Sequence, residues 1–230
     1  MSTSAKVTAR QRIENLLDDN SFVEIGAYVK ARNTDFNIQA KDTPSDGVIT
    51  GYGVINGGLV YVYSQDASVL GGSVGEMHAK KIASLYDMAM KTGSPVIGLI
   101  DSTGLRLQES VDGLNAFGQI YMKQSLASGV IPTVTAIFGN CGGGLSIVAG
   151  LSDFTFMEVE NAQLFVNSPN AITENRKEIC DNASAKFQSE EAGNVDFVGT
   201  EAEVIEGIRN LVSVLPSNNE DEASDLECYD

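Results

Sequence analysis

Three consecutive glycines, Gly142, Gly143 and Gly144, follow the apolar run IPTVTAIF (131–138) and lead straight into a short helical pattern over 145–150. Glycines at a helix start leave backbone N–H groups unshielded, and the helix dipole adds partial positive charge there. Such a turn can bind a phosphate or hold the oxyanion of a reacting carbonyl. It can equally mark a place where helix and strand pack too closely to admit a Cβ. Neither phosphate signature, GxxxxGK[ST] or GxGxxG, occurs in 139–144. A second polar turn, DSTGLRLQE (101–109), follows the run PVIGLI (95–100) and carries Gly104, Leu105 and Arg106. A third, Gly71-Gly72-Ser73, precedes a helical pattern holding Lys80 and Lys81. The first two turns close strand candidates, and open α/β folds place their ligands at the carboxyl ends of strands. Lys80, Lys81 and Arg106 are the cations nearest in sequence to these turns; each is either a surface charge or a phosphate contact.

The rest of the composition narrows the chemistry. The 230 residues contain one histidine, His78, and three scattered cysteines, Cys141, Cys180 and Cys228, without a CxxC pair. No disulfide framework, zinc site or His-rich metal cluster is indicated, and a Ser-His-Asp triad would have to use His78. Catalysis, if present, must draw on backbone dipoles, a bound cofactor or another chain. The net charge is −16, and the stretch from 216 onward holds six acids and no base. Nucleic-acid binding is not expected, because no basic stripe exists. No apolar run reaches the ~18 residues of a membrane span, and the first residues have neither signal- nor transit-peptide character. A cytoplasmic protein with no membrane insertion is expected.

These turns need elements to hold them. Thr8 with Gln11 reads as a capping box opening a helix with Ile13, Leu16 and Leu17 inward. FVEI (22–25) reads as a strand and 34–46 as a loop. GVITGYGVI (47–55) and LVYVYS (59–64), joined by Asn56-Gly57-Gly58, form a hairpin signal, since both central turn residues need positive φ. Ser73 with Glu76 resembles a second capping box, and its helix carries Ile82, Leu85 and Ala89 before Gly93 and Pro95 close it. Strand 95–100, helix 111–128, strand 131–138, helix 145–150 and strand 153–159 follow. Thr200 with Glu203 caps a last helix through Leu215, and 216–230 reads as an acidic linker or tail. The alternation specifies α/β crossovers around a largely parallel sheet in one domain, 1–215.

Three runs then become familiar: LGGSVGEMHAKKI (70–82), SPVIGLIDSTGLRLQESVDGL (94–114) and GVIPTVTAIFGNCGGGLSIVAGLSDFTFM (129–157). Together with TARQRIENLL (8–17), SDGVITGYGVING (45–57) and LPSNN (215–219), they resemble the N-terminal half of biotin-dependent acyl-CoA carboxyltransferases. That family includes the carboxyltransferase β subunits of propionyl-CoA and acetyl-CoA carboxylases, the transcarboxylase large subunit and the matching subunits of sodium-pumping decarboxylases. The resemblance implies a crotonase-like spiral of ββα units with a coenzyme A thioester bound in this half. It implies Gly143 and Gly144 as the paired N–H donors for the enolate. Gly71, Gly72, Ser73, Gly104, Leu105 and Arg106 would line the CoA site. No metal is implied. Biotin would arrive on a biotin carrier protein, and a separate C-terminal, biotin-side subunit would complete an oligomeric enzyme.

The pattern also departs from the family. Members commonly read DSGGARIQEG where this chain has DSTGLRLQES, so Thr103, Leu105 and Ser110 replace small residues. The segment 182–193 has neither the glycine pair nor the histidine usual there. Two other readings remain: a stand-alone crotonase-type hydratase or isomerase, and a non-catalytic assembly subunit. Leu145, Ser146 and Ile147 offer no carboxylate where a hydratase needs one, which weighs against the first.

Overall fold

The computed structural model describes residues 7–33, 42–168 and 181–221. One eight-stranded sheet runs in the order β1 (Val23–Ile25), β2 (Val48–Ile55), β3 (Gly58–Gln65), β4 (Val96–Ser102), β5 (Thr133–Gly142), β6 (Phe154–Glu158) and β8 (Phe197–Gly199). A short β7 (Gln163–Phe165) pairs with the far end of β5. The first three strands are antiparallel, and every pairing from β3 onward is parallel. The β2–β3 hairpin turns at Asn56 and Gly57, both at positive φ, as its Asn-Gly pair requires.

Each parallel crossover carries a helix, and the helices fall on two faces. α2 (Glu76–Thr92), α3 (Ser110–Ala127) and α4 (Gly144–Gly150) cover one face, burying Ile82, Leu85, Phe117, Ile120 and Leu145 against Tyr63 and Ile137. α1 (Ala9–Leu16) and α6 (Glu201–Val214) cover the other, with Ile13, Leu16, Val204 and Ile208 against Val62, Ile97 and Phe138. α5 (Ala185–Glu190) packs near β7 and β8. Arg12 fastens α1 to the sheet. It is buried, ion-paired to Asp101 at 3.3 Å and Glu201 at 2.8 Å, and lies 4.6 Å from the Phe138 ring centroid.

Several expectations change here. The capping boxes at Thr8 and Thr200 form, but Ser73 does not cap α2. That helix starts at Glu76 and takes its caps from distant carboxylates described below. β5 does not stop at Phe138; it continues to Gly142 because β4 and β7 both pair with its glycine-rich end. The polar stretch after Leu215 begins docked rather than free: Asn219 N–H donates to the Val130 carbonyl and Asn218 to the Gly93 carbonyl. Part of the 34–46 loop and residues 222–230 lie outside the described residues.

The centre of the sheet is tightly filled at one glycine. A Cβ on Gly98 would lie 2.3 Å from the Tyr63 hydroxyl, whose ring is buried under α2. Gly98→Ala is expected to lower unfolding free energy by about 1–3 kcal/mol through overpacking. Urea midpoints at constant m-value check this.

Candidate active site

β4 and β5 run side by side, and a register shift after Ile100 brings Ser102 opposite Cys141. The two polar turns therefore emerge together. A Cβ on Gly104 would lie 3.4 Å from the Gly142 carbonyl oxygen, which measures how closely the turns approach.

Backbone donors at this junction divide into used and unused. Gly143 N–H donates to the Phe165 carbonyl at 3.0 Å, continuing the β5–β7 ladder. That corrects the expected pairing, since Gly143 is not a free donor. Its φ of 60° and ψ of −125° turn the chain out of the strand, a conformation suited to glycine. The N–H groups of Gly144 and Leu145 open α4 and have no acceptor among the described residues. Leu105 N–H is likewise unused, because its neighbours alone bond to the chain beside them: Val74 N–H donates to the Gly104 carbonyl and Arg106 N–H to the Val74 carbonyl. Gly104 N–H is taken by the Ser102 hydroxyl at 3.0 Å. Of the expected pair, Gly143 N–H is engaged within the chain, and Gly144, Leu145 and, from the other turn, Leu105 carry N–H groups without an acceptor among the described residues.

The peptides carrying the α4 donors are held in place. The Ser146 hydroxyl donates to the Gly143 carbonyl at 2.7 Å, and the Tyr121 hydroxyl to the Gly144 carbonyl at 2.7 Å. In a trans peptide the N–H points opposite to the C=O, so fixing each carbonyl aims the following N–H.

A cleft of about 480 Å³ beside the Leu105 donor is lined by Leu70, Ser73, Thr103, Leu105, Arg106, Leu107 and Gln108. Ser73 lies on its wall, and Gly71 and Gly72 pack behind it against the 101–103 strand end. Gly71 and Gly72 carbonyls accept from Thr103 N–H and the Ser102 hydroxyl, and a Cβ on Gly72 would lie 2.5 Å from the Asp101 carbonyl oxygen. Gly72 and Ser73 N–H groups bond back to Val69 and Leu70.

The cations are also reassigned. Arg106 points inward and is buried, donating to Asp46 Oδ1 at 2.5 Å, Glu109 Oε1 at 2.9 Å, the Ser73 carbonyl at 2.7 Å and the Ser73 hydroxyl at 3.2 Å. Its guanidinium cannot also meet a phosphate. Lys81 is buried too, giving its protons to the Ser45 and Val48 carbonyls. Burial lowers its pKa to about 8, against the opposing pull of Glu24 and Asp46. Lys80 is exposed and paired with Glu76. Arg32, which no motif singled out, bridges Glu76 and Asp112 across α2 and α3.

The two carboxylates on Arg106 also cap α2: Glu109 Oε2 accepts from Glu76 N–H at 2.6 Å and Asp46 Oδ2 from His78 N–H at 2.8 Å. Burial raises the Asp46 pKa despite Arg106. His78 is fully buried in the same cluster. Its Nδ1 faces the Asp46 carbonyl at 3.0 Å and its Nε2 the Gln65 amide nitrogen at 3.1 Å. Only a neutral ring protonated at Nδ1 satisfies a carbonyl on one side and an amide donor on the other. Burial, with Arg106 nearby, lowers its pKa to about 3. Cys141 is buried, with its pKa raised to about 12 by desolvation. Neither side chain is poised as a base at neutral pH. Among the described residues there is no group of three or more metal-ligating side chains.

A fold of stacked β–α crossovers presenting amide donors from two neighbouring strand ends defines a crotonase-like protein. Comparison with known proteins gives the particular family. The carboxyl transferase domain model matches residues 2–230, and the chain belongs to that family. It is 43% identical over 231 residues to methylmalonyl-CoA decarboxylase subunit alpha of Propionigenium modestum, covering 99% of this chain and 45% of the relative. It is 42% identical to the propionyl-CoA carboxylase beta chain of Roseobacter denitrificans, covering 93% and 43% respectively. The transcarboxylase 12S crystal structure, a hexamer with hydrolysed methylmalonyl-coenzyme A bound, superimposes with a TM-score of 0.89 at 38% identity, covering 96% of this chain and 43% of that one. The chain thus spans less than half the length of these relatives. No helix among the described residues is long and apolar enough to cross a membrane.

Two predictions follow from the buried cluster. His78 has its folded pKa depressed from 6.5 to about 3, so the unfolded chain binds the extra proton between those values. Its contribution to stability is complete above about pH 6.5 and is lost as pH falls toward 3, by at most about 1.4 kcal/mol per pH unit. Urea midpoints of wild type and His78→Gln, compared between pH 7 and pH 4.5, should show a shallower acid loss in the variant. Arg106→Met leaves Asp46 and Glu109 buried without their counter-charge and is expected to cost about 3–5 kcal/mol, read from the same unfolding curves.

Proposed function

We propose that this chain is the acyl-CoA-binding half of a biotin-dependent acyl-CoA carboxyltransferase. The observation that carries the reading is the set of unused N–H groups on Gly144, Leu145 and Leu105, at the touching ends of β4 and β5. Removing the α-proton of an acyl thioester moves charge onto the thioester oxygen. Fixed donors aimed at that oxygen stabilise the enolate more than the ground-state carbonyl. The adjoining cleft, with Leu70, Leu105 and Leu107 on its walls, suits the thioester arm. Exposed Lys80 remains a candidate for a CoA phosphate.

The relatives extend well beyond the part this chain matches, and biotin is assigned here to a carrier protein and to a second, biotin-side unit. A carboxybiotin held by that unit would supply the carboxylate and, once that is lost, a ureido nitrogen able to take the α-proton. This chain contributes positioning and charge stabilisation and needs no base of its own. An outer face prepared for a partner supports the reading: α3 exposes Val111, Leu114, Met122 and Leu126 while its other side packs in the core. Water-exposed apolar residues in such a stripe mark an interaction surface.

Carboxyl transfer from carboxybiotin to propionyl-CoA is expected only when the biotin-side unit is present. Gly144→Ala would place a Cβ 2.7 Å from the Tyr121 hydroxyl and 3.0 Å from the Phe117 ring, displacing the donor. Its kcat is expected to fall about 10²–10³-fold, with a native circular dichroism spectrum. Robust transfer by this chain alone, or unchanged kcat in Gly144→Ala, would overturn the proposal.

A further inference from the structure

We propose that Leu105 and Gly113 form a two-residue gate that sets the width of the cleft beside the Leu105 amide, and so selects among acyl-CoA thioesters by acyl size. The inference rests on the acyl-thioester reading and adds to it a determinant of specificity.

Leu105 lines the cleft and is only partly buried, while its side chain also packs against the core under α3. Gly113 lies buried in the first turns of α3, facing it. A Cβ on Gly113 would stand 2.9 Å from Leu105 Cδ1 and 3.3 Å from the Arg106 carbonyl oxygen. The missing side chain at 113 is therefore the notch into which the Leu105 methyl group fits. Glycine is a poor residue for a helix interior, so its space is being used against local preference.

The backbone of Leu105 cannot yield. Val74 bonds to it on both sides, through the Gly104 carbonyl and Arg106 N–H, and the Arg106 side chain is locked to Asp46 and Glu109. Only the side-chain torsions are free. A methyl group added at 113 closes the notch, and the open direction for Leu105 is then the cleft between Thr103 and Leu107. The residue at 113 thus decides how far the residue at 105 reaches over the bound thioester. Gly118, on the same helix, has nothing within 4 Å of its would-be Cβ and provides the matched control.

The test is a calorimetric titration of wild type, Gly113→Ala, Leu105→Ala, the double variant and Gly118→Ala with acetyl-, propionyl- and butyryl-CoA. A crystal structure of Gly113→Ala accompanies it. Gly113→Ala should weaken butyryl-CoA binding by about tenfold or more relative to acetyl-CoA, the scale of one or two methylenes in a tight pocket. Adding Leu105→Ala should restore it, Leu105→Ala alone should favour the longer chains, and Gly118→Ala should behave as wild type. The Gly113→Ala structure should show Leu105 turned into the cleft. Equal binding in Gly113→Ala, no rescue by Leu105→Ala, or Leu105 unmoved with α3 displaced would overturn the gate while leaving the thioester reading intact. No binding of any thioester to wild type would overturn the thioester reading and the gate's selectivity with it.

Discussion

The site depends on one buried guanidinium. Arg106 sits between Asp46, Glu109 and Ser73, joining the chain before β2, the start of α2 and the turn after β4. Lysine could not substitute, because Nη1 serves both carboxylates while Nε and Nη2 of the same planar fork reach the Ser73 hydroxyl and carbonyl. The two carboxylates share Arg106 through one oxygen each and cap α2 with the other, satisfying the Glu76 and His78 N–H groups. Burying such a group is costly, and the arrangement contributes more to a unique geometry than to net stability. It also consumes the α2 N-terminus. The positive end of that helix is occupied by Asp46 and Glu109, whereas the Gly144, Leu145 and Leu105 N–H groups have no acceptor among the described residues.

Rigidity at those amides is what separates a catalytic dipole from an ordinary helix end. Water at an exposed helix terminus must reorient as charge develops; a fixed amide need not. Leu105 N–H is held by the Val74 bridge on either side and by the Arg106 anchor behind it. The Gly143 and Gly144 carbonyls are held by Ser146 and Tyr121. The same Phe165 carbonyl that removes Gly143 from the donor set pins the turn from below. Gly143 N–H is spent within the chain, and the neighbouring amides gain a defined direction.

Much of this was legible in the sequence, and the failures have a physical pattern. The Thr8 and Thr200 capping boxes, the Asn56-Gly57 hairpin and the α/β alternation are local signals, and they formed where local chemistry placed them. The two glycine turns were found by composition, and the fold brought Gly104 against Gly142. Long-range partners decided the rest. Ser73 followed by Glu76 has a cap's spacing, yet Glu109 and Asp46 displaced it from 33 and 32 residues away. Arg106 looked like a phosphate ligand because nothing local shows that Asp46 awaits it. The resemblance implied Gly143 as a donor, but β7, at three residues too short to announce itself by alternation, takes its N–H. α5 and β8 escaped notice for the same reason of length.

α3 joins these threads, because both turns and the exposed apolar stripe rest on it. Its inner face meets Leu105 and the Arg106 carbonyl at Gly113, and meets Gly144 through Phe117 and Tyr121. Its outer face presents Val111, Leu114, Met122 and Leu126. A helix with one face open can relieve an inner clash by shifting outward, at the expense of packing density behind it. Covering the outer face removes that escape, since close-packed interiors do not deform continuously. The distance from α3 to the amide donors is then set from both sides, and small inner residues such as Gly113 become fixed dimensions of the cleft. In the proposed enzyme the amide donors would be formed within this domain, and covering the outer face of α3 would make the cleft width definite.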